Sequence, residues 1–220
     1  MAVAAIVDLR SLFGPARDQG QRPTCMAFAA SDAHAAARGP FEPLSVEFAH
    51  YHGVRRKAVF DPASGVPLLL MAAAIEQDGQ PLEAGWQYQP TLPSDLCVWQ
   101  PPADPGPVFR RASAVGSSGI DEVLTHLDGG RPVVIVVKIS VAFHYAIPGV
   151  PIIGSHQDPD AGIHAMVAVG HGTAGSNRLI LLRNSWGAAW CDNGHAWVEE
   201  QYLAGRLLGI SIMSQGSNTP

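Results

Sequence analysis

The sequence predicts an α+β protein of two lobes, helical first and β-rich second, and three observations carry that prediction. The first half holds helix-forming segments that end at Gly-Pro or Asp-Gly. The second half holds short β-branched runs between turn-rich flanks. Between them, residues 101–107 read PPADPGP, four prolines in seven residues, which neither a helix nor a central strand accepts. The expected division is therefore 1–105 for the helical lobe and 106–220 for the β lobe.

In chain order, an alanine-rich segment runs from Thr24 to Arg38, and alanine is the best helix former. Thr24 is placed to cap its first turn, and Gly39-Pro40 stops it. A second helix is expected from Ser45 to about His52. A third is expected from Pro67, suited to a first-turn position, to about Gln77, with Asp78-Gly79 behind it. Beyond the proline stretch, Ile120 to Leu127 reads as a short helix. Pro132–Ile139, Ala165–Val169, Leu179–Leu182 and His195–Val198 read as strands. The polar tail from Gln215 to Pro220 is expected to fray.

Composition narrows the function. Lys+Arg 14 against Asp+Glu 19 gives a net charge of −5, so the basic footprint of a nucleic-acid binder is missing. A chain that is 47% hydrophobic is not a disordered one. With 23 glycines and 18 prolines it is not a helical bundle either. The start, MAVAAIVDLR, has no basic region before its apolar run and makes a poor signal peptide. The run from Pro67 to Ile75 is too short to span a bilayer. Three cysteines cannot form a closed disulfide set. The expectation is a cytoplasmic protein, or one exported by a route that reads no classical signal, with no membrane partner.

Cys25 stands where a helix begins. A thiol there feels the positive end of the helix dipole, which lowers its pKa and favours the nucleophilic thiolate. Position alone does not overturn the plainer reading of a buried, inert cysteine. The surrounding blocks add more. Residues 17–30 read RDQGQRPTCMAFAA, residues 163–172 read IHAMVAVGHG, and residues 181–194 read LLRNSWGAAWCDNG.

These blocks resemble the papain-like cysteine peptidases. In that family a Gln-Gly pair precedes a nucleophilic Cys, a general-base His begins a strand as His-Ala, and an orienting Asn sits in an Asn-Ser-Trp-Gly turn. The matching positions are Gln19-Gly20, Cys25, His164-Ala165 and Asn184-Ser185-Trp186-Gly187. Val7-Asp8-Leu9-Arg10, Leu44-Ser45 and Ser64-Gly65-Val66-Pro67 resemble further landmarks of the family, in order.

The resemblance implies the papain-like two-lobed fold, with the active site in the cleft between the lobes. It also implies a role for each residue. Cys25 would attack and His164 would hold its proton. Asn184 would fix the imidazole, and Trp186 would shield that hydrogen bond. The Gln19 side chain and the Cys25 backbone N–H would bind the oxyanion. Gly65 and Val66 would present backbone to an extended peptide or protein substrate, and Ile163 would give the second subsite an apolar wall. No cofactor or metal is implied.

The departures are informative too. Arg22 stands where the family has a disulfide cysteine, Pro23 replaces a glycine of the first subsite, and Met26 replaces a tryptophan. A member made without the inhibitory pro-region is expected, restrained by a separate inhibitor or regulator or mild in its activity. Acyl transfer or amide hydrolysis on one dedicated substrate stays open beside peptide hydrolysis, as does a silent binding module. Other residues are expected to be structural. His50 and His52, at i,i+2, do not share a helix face. Cys191 and His195 lack the further ligands of a zinc site. Cys97 is expected in the core. Gly170-x-Gly172 lacks the third glycine and the helix of a dinucleotide loop. Gly116–Gly119 lacks the Lys of a phosphate loop and is expected to turn.

Overall fold

Helix α1 (Cys25–Arg38) carries buried alanines at 27, 29, 30, 33 and 35, and these small side chains let it press closely on the sheet. In the computed structural model, which describes residues 3–116, 119–153 and 158–215, α1 is followed by α2 (Val46–Arg55) and α3 (Leu68–Gln77). Ser45 caps α2, its Oγ accepting from Phe48 N at 3.1 Å. Two expectations shift here. Pro67 stands at the N-cap of α3, one residue before its first turn. Thr24 occupies the N-cap of α1 without capping it: its hydroxyl pairs with Tyr88 Oη at 2.9 Å and lies 3.4 Å from Arg22 O.

The strands are β1 (Ala4–Asp8), β2 (Ser113–Gly116), β3 (Val133–Ser140), β4 (Asp160–Ala174), β5 (Asn177–Arg183), β6 (His195–Glu199) and β7 (Leu207–Met213). Among the described residues they form one antiparallel sheet in the order β2-β7-β3-β4-β5-β6, with β1 paired to the far end of β4. Among the described residues, three shorter α-helices accompany the sheet: α4 (Ile120–Asp128), the single turn α5 (Val141–His144) and α6 (Glu200–Ala204).

The sheet is covered on both faces, which explains why its strands read as unbroken apolar runs. On one face Val134, Ala165, Val167, Val169 and Leu181 join α1–α3 in a first core. On the other, Val133, Ile135, Met166, Ala168, Ile180 and Leu182 join Val123, Leu127, Phe143 and Tyr202 of α4, α5 and α6 in a second. Alternation along each strand sorts its side chains between the two cores.

Gly170 and Gly172 belong to β4 itself, facing Asp8 and Ala5 of β1. A Cβ on Gly170 would lie 2.3 Å from Val7 O, so only glycine lets β1 lie there. Cys97 is exposed rather than in the core, while its neighbour Trp99 is fully buried. Ser117, Ser118 and residues 216–220 lie outside the described residues, and with them most of the expected turn and tail. No helix among the described residues is long and apolar enough to cross a membrane.

Candidate active site

Cys25 is the first residue of α1, which sets its thiol at the helix end packed against β4. His164 lies within β4, opposite Val137 of β3. Both line one cleft of about 460 Å³, together with Met26, Gly65, Val66, Pro67, Leu68, Val136, Ile163, Ala165, Leu208 and Gly209. The cleft wall is mainly apolar and contains no formally charged side chain. Helix α1, the start of α3 and strands β3, β4 and β7 all contribute to it, so both halves of the sequence build one site.

Asn184 follows the last residue of β5, and its backbone N–H is held by Gly194 O at 2.9 Å. Its Oδ1 accepts from Ser185 N at 2.8 Å and sits 2.7 Å from His164 Nε2. The backbone donor shows that the oxygen of the amide faces this way. An oxygen that only accepts requires Nε2 to carry the hydrogen. The His164 tautomer is thereby fixed, and Nδ1 is left with its lone pair. Trp186 packs on the imidazole at 4.7 Å between ring centroids, and His144 stacks on the same indole at 4.9 Å and 8°.

Burial pushes the Cys25 thiol up, against weaker opposing hydrogen bonds from the backbone of Ala165, Met26 and Cys25 itself. This reverses the lowered pKa expected from the helix end. Desolvation of a lone thiolate outweighs the dipole here. Burial likewise takes His164 down to about 4, opposed by its bond to Asn184 and assisted by His144. Each group alone therefore stays neutral at pH 7. A charge on one is favoured only when the opposite charge appears on the other.

The Asn-Ser-Trp-Gly turn is sewn to the strand of chain that carries Gln19. Gln19 N donates to Ser185 O at 2.9 Å, Ser185 Oγ to Gln19 Oε1 at 2.7 Å, and Gly187 N to Arg17 O at 3.1 Å. Gln19 Nε2 donates to Arg22 O at 2.8 Å, which uses one of its two amide hydrogens. Of the residues singled out in the sequence, Cys25, His164, Gly65, Val66 and Ile163 share the cleft lining. Asn184 and Trp186 lie outside the lining and touch it through His164, and Gln19, also outside the lining, pairs with Ser185 beside Asn184.

Sequence reasoning missed several members. Val136, Leu208 and Gly209 line the cleft from strands whose facing could not be read without their pairing. Met26 lines it as well as packing. It also missed a buried clamp. Arg183, one residue before Asn184, donates to Asp32 of α1 at 2.7 Å and to Gly14 O and Pro15 O. Burial raises the Asp32 pKa, but the Arg17 and Arg183 guanidiniums outweigh that and hold its carboxyl below the usual range. The clamp joins the helix that starts at Cys25 to the strand that ends at Arg183, one residue before Asn184.

Parts of the chain match known proteins in sequence. The model of the papain family cysteine proteases matches residues 107–211. Papaya proteinase 4 of Carica papaya is 50% identical over 57 residues, 26% of this chain and 16% of that protein. Pro-cathepsin H of Mus musculus is 39% identical over 44 residues, 20% of this chain and 13% of that protein. The matched stretch thus spans about a sixth or less of these curated relatives.

Solved structures match along nearly the whole chain. Xylellain, a cysteine protease from Xylella fastidiosa, superposes with a TM-score of 0.79 at 21% identity, covering 98% of this chain and 88% of that one. The Carica candamarcensis cysteine protease CMS1MS2, in complex with E-64, gives 0.74 at 22% identity, covering 96% and 98%. Digestive procathepsin L 3 of Tenebrio molitor gives 0.76 at 18%, covering 96% and 70%. The chain thus shares the fold of these cysteine proteases along nearly its whole length, and residues 107–211 match the papain family in sequence.

Proposed function

We propose that the chain hydrolyses peptide bonds through a thioester on Cys25. The observation that carries this reading is the shared cleft: Cys25 and His164 line it, and Asn184 holds His164 by a 2.7 Å bond that leaves Nδ1 as the base. Substrate enters extended, its backbone against Gly65 and Val66, with an apolar side chain in the pocket between Val66, Val136, Ile163 and Leu208. Burying such a side chain is worth roughly 1.5–3 kcal/mol.

As Sγ of Cys25 attacks the scissile carbonyl, its proton passes to His164 Nδ1. The two charges form together, so neither is buried alone. The oxyanion takes the Cys25 N–H, which has no acceptor within its own helix, and the second amide hydrogen of Gln19. Collapse breaks the C–N bond, and the imidazolium returns the proton to the leaving amine. Water, deprotonated by the same imidazole, then cleaves the thioester and frees the thiol.

A peptide library tests the reading. The wild type is expected to cut with an apolar residue second before the scissile bond, and Cys25→Ala to leave no turnover. Cys97→Ala and Cys191→Ala are expected to cut normally. Turnover retained by Cys25→Ala, or release of a transferred acyl product in place of the free acid, contradicts it.

A further inference from the structure

The segment between Gln19 and Cys25 is held from one side by a buried ion pair that peptide hydrolysis does not itself need. Arg22 is 6% exposed and Glu47, on α2, is 0% exposed. Arg22 Nη1 donates to Glu47 Oε2 at 2.7 Å and to Gln89 O at 2.5 Å. The carboxylate also accepts from Gln89 N at 3.0 Å and Trp99 Nε1 at 2.5 Å. The guanidinium also lies against Tyr88 and Trp99, 5.1 and 5.9 Å from their ring centroids. A charge pair buried this deeply carries a large desolvation penalty, so it is weak evidence for stability alone.

What it fixes is the backbone of Arg22, and that backbone carries the bond that orients Gln19. The carbonyl of Arg22 accepts Gln19 Nε2 at 2.8 Å, and also Thr24 N at 2.8 Å immediately before Cys25. A second arm reaches the same loop: Tyr88 Oη donates to Gln19 O at 2.7 Å. Hence one carbonyl sets both the amide that would face the oxyanion and the approach to the α1 N-terminus. An amide nitrogen with one hydrogen held has its other hydrogen fixed in direction, because the group is planar.

On the reading that Cys25 is an acylating thiol, we infer that Arg22, locked by Glu47, is a positioning residue for the Gln19 oxyanion donor. It touches neither substrate nor thiol. Its effect is to preorganise a dipole, so its loss falls on the transition state rather than on substrate binding.

The test compares wild type, Arg22→Met, Gln19→Ala and the double Gln19→Ala/Arg22→Met. Three readouts are taken: turnover of a peptidyl aminomethylcoumarin, affinity for a peptide aldehyde, and iodoacetamide alkylation of Cys25 followed by peptide mapping. The aldehyde adduct bears an oxygen in the oxyanion position, whereas alkylation needs no oxyanion site. Arg22→Met is expected to lower kcat about 10- to 100-fold with KM nearly unchanged, and aldehyde affinity by the same factor. Alkylation of Cys25 is expected to stay within about threefold of wild type, well inside the kcat effect. In the Gln19→Ala background, Arg22→Met is expected to cost about twofold or less, since it acts only through the missing amide.

Should Arg22→Met fail to fold by circular dichroism, Arg22→Met/Glu47→Met removes both charges, leaves none uncompensated, and is expected to show the same loss of kcat. A folded variant with undiminished kcat overturns the inference. So do losses that multiply with that of Gln19→Ala, or alkylation that falls in step with turnover. A wild type that neither turns over nor forms the aldehyde adduct at Cys25 instead removes the hydrolase reading, and this inference with it.

Discussion

Ile163 is 67% exposed at the cleft wall, a branched apolar side chain that finds little to bury against in its own fold. A substrate side chain supplies the missing contact. Ile163→Glu is expected to shift preference toward Lys or Arg at the second position before the cut. At about 4 Å and an effective dielectric near 20 the attraction is about 4 kcal/mol before desolvation. For a side chain this solvated, the measurable part is nearer 1 kcal/mol, about fivefold in kcat/KM. A library profile unmoved by Ile163→Glu contradicts that role. Losses at the site residues should be ranked: His164→Ala nearly as severe as Cys25→Ala, and Asn184→Ala milder because it orients without reacting. Equal kcat losses in stopped assays would contradict that ranking. Cys25, His164 and Asn184 stood out in the sequence because the Gln-Gly…Cys, His-Ala and Asn-Ser-Trp-Gly blocks around them resemble the papain-like peptidases. Arg22–Glu47 and Asp32–Arg183 were not, because partners 25 and 151 residues apart carry no local sign of their pairing.

At the scale of elements, helices α1–α3 and strands β3–β6 were readable from alanine content, stop signals and β-branched runs. Three strands were not. β1 is part of the apolar start that reads as a poor leader, β2 has only four residues, and β7 is interrupted by Gly209. β4 proved far longer than its AMVAV centre, because glycines and His171 dilute its C-terminal half. Those glycines are what β1 needs. Gly170→Val is expected to force β1 away from β4, since the new Cβ would meet backbone, which cannot give way as a flexible side chain can. A loss of about 1–3 kcal/mol is expected in urea unfolding, as for overpacking elsewhere. An unchanged unfolding midpoint would show that β1 is dispensable to the sheet.

For the whole molecule, buried histidines set the response to acid, with His195 lowered by burial in the same direction as His34, His50 and His164. Burial takes His34, His50 and His164 each down to about 4 from 6.5. Between those values the unfolded chain binds protons that the folded chain refuses, so stability falls as pH drops from 6.5 toward 4 and is flat above 6.5 on their account. The combined loss is several kcal/mol. Asp32, held low by Arg17 and Arg183, extends the decline to lower pH. Glu83, raised by burial, opposes it in part. Melting temperature is expected to drop steeply from pH 6.5 to 4. A flat profile there would mean that these rings open to water before they titrate. All three cysteines are free, so mild reductant is expected to leave the melting temperature unchanged, and a large fall would reveal a disulfide supporting the fold.

On the proposed function, the thiol at the start of α1 is the nucleophile of a peptide-cleaving cleft. A peptidyl epoxide with an apolar second residue tests it most directly, because Cys97 is the exposed thiol and any indiscriminate alkylator would find it too. Intact mass and peptide mapping are expected to show one adduct per chain, on Cys25, with turnover lost in proportion to labelling. Adducts on Cys97 or Cys191 with Cys25 untouched, or full labelling of Cys25 with turnover retained, would contradict the account.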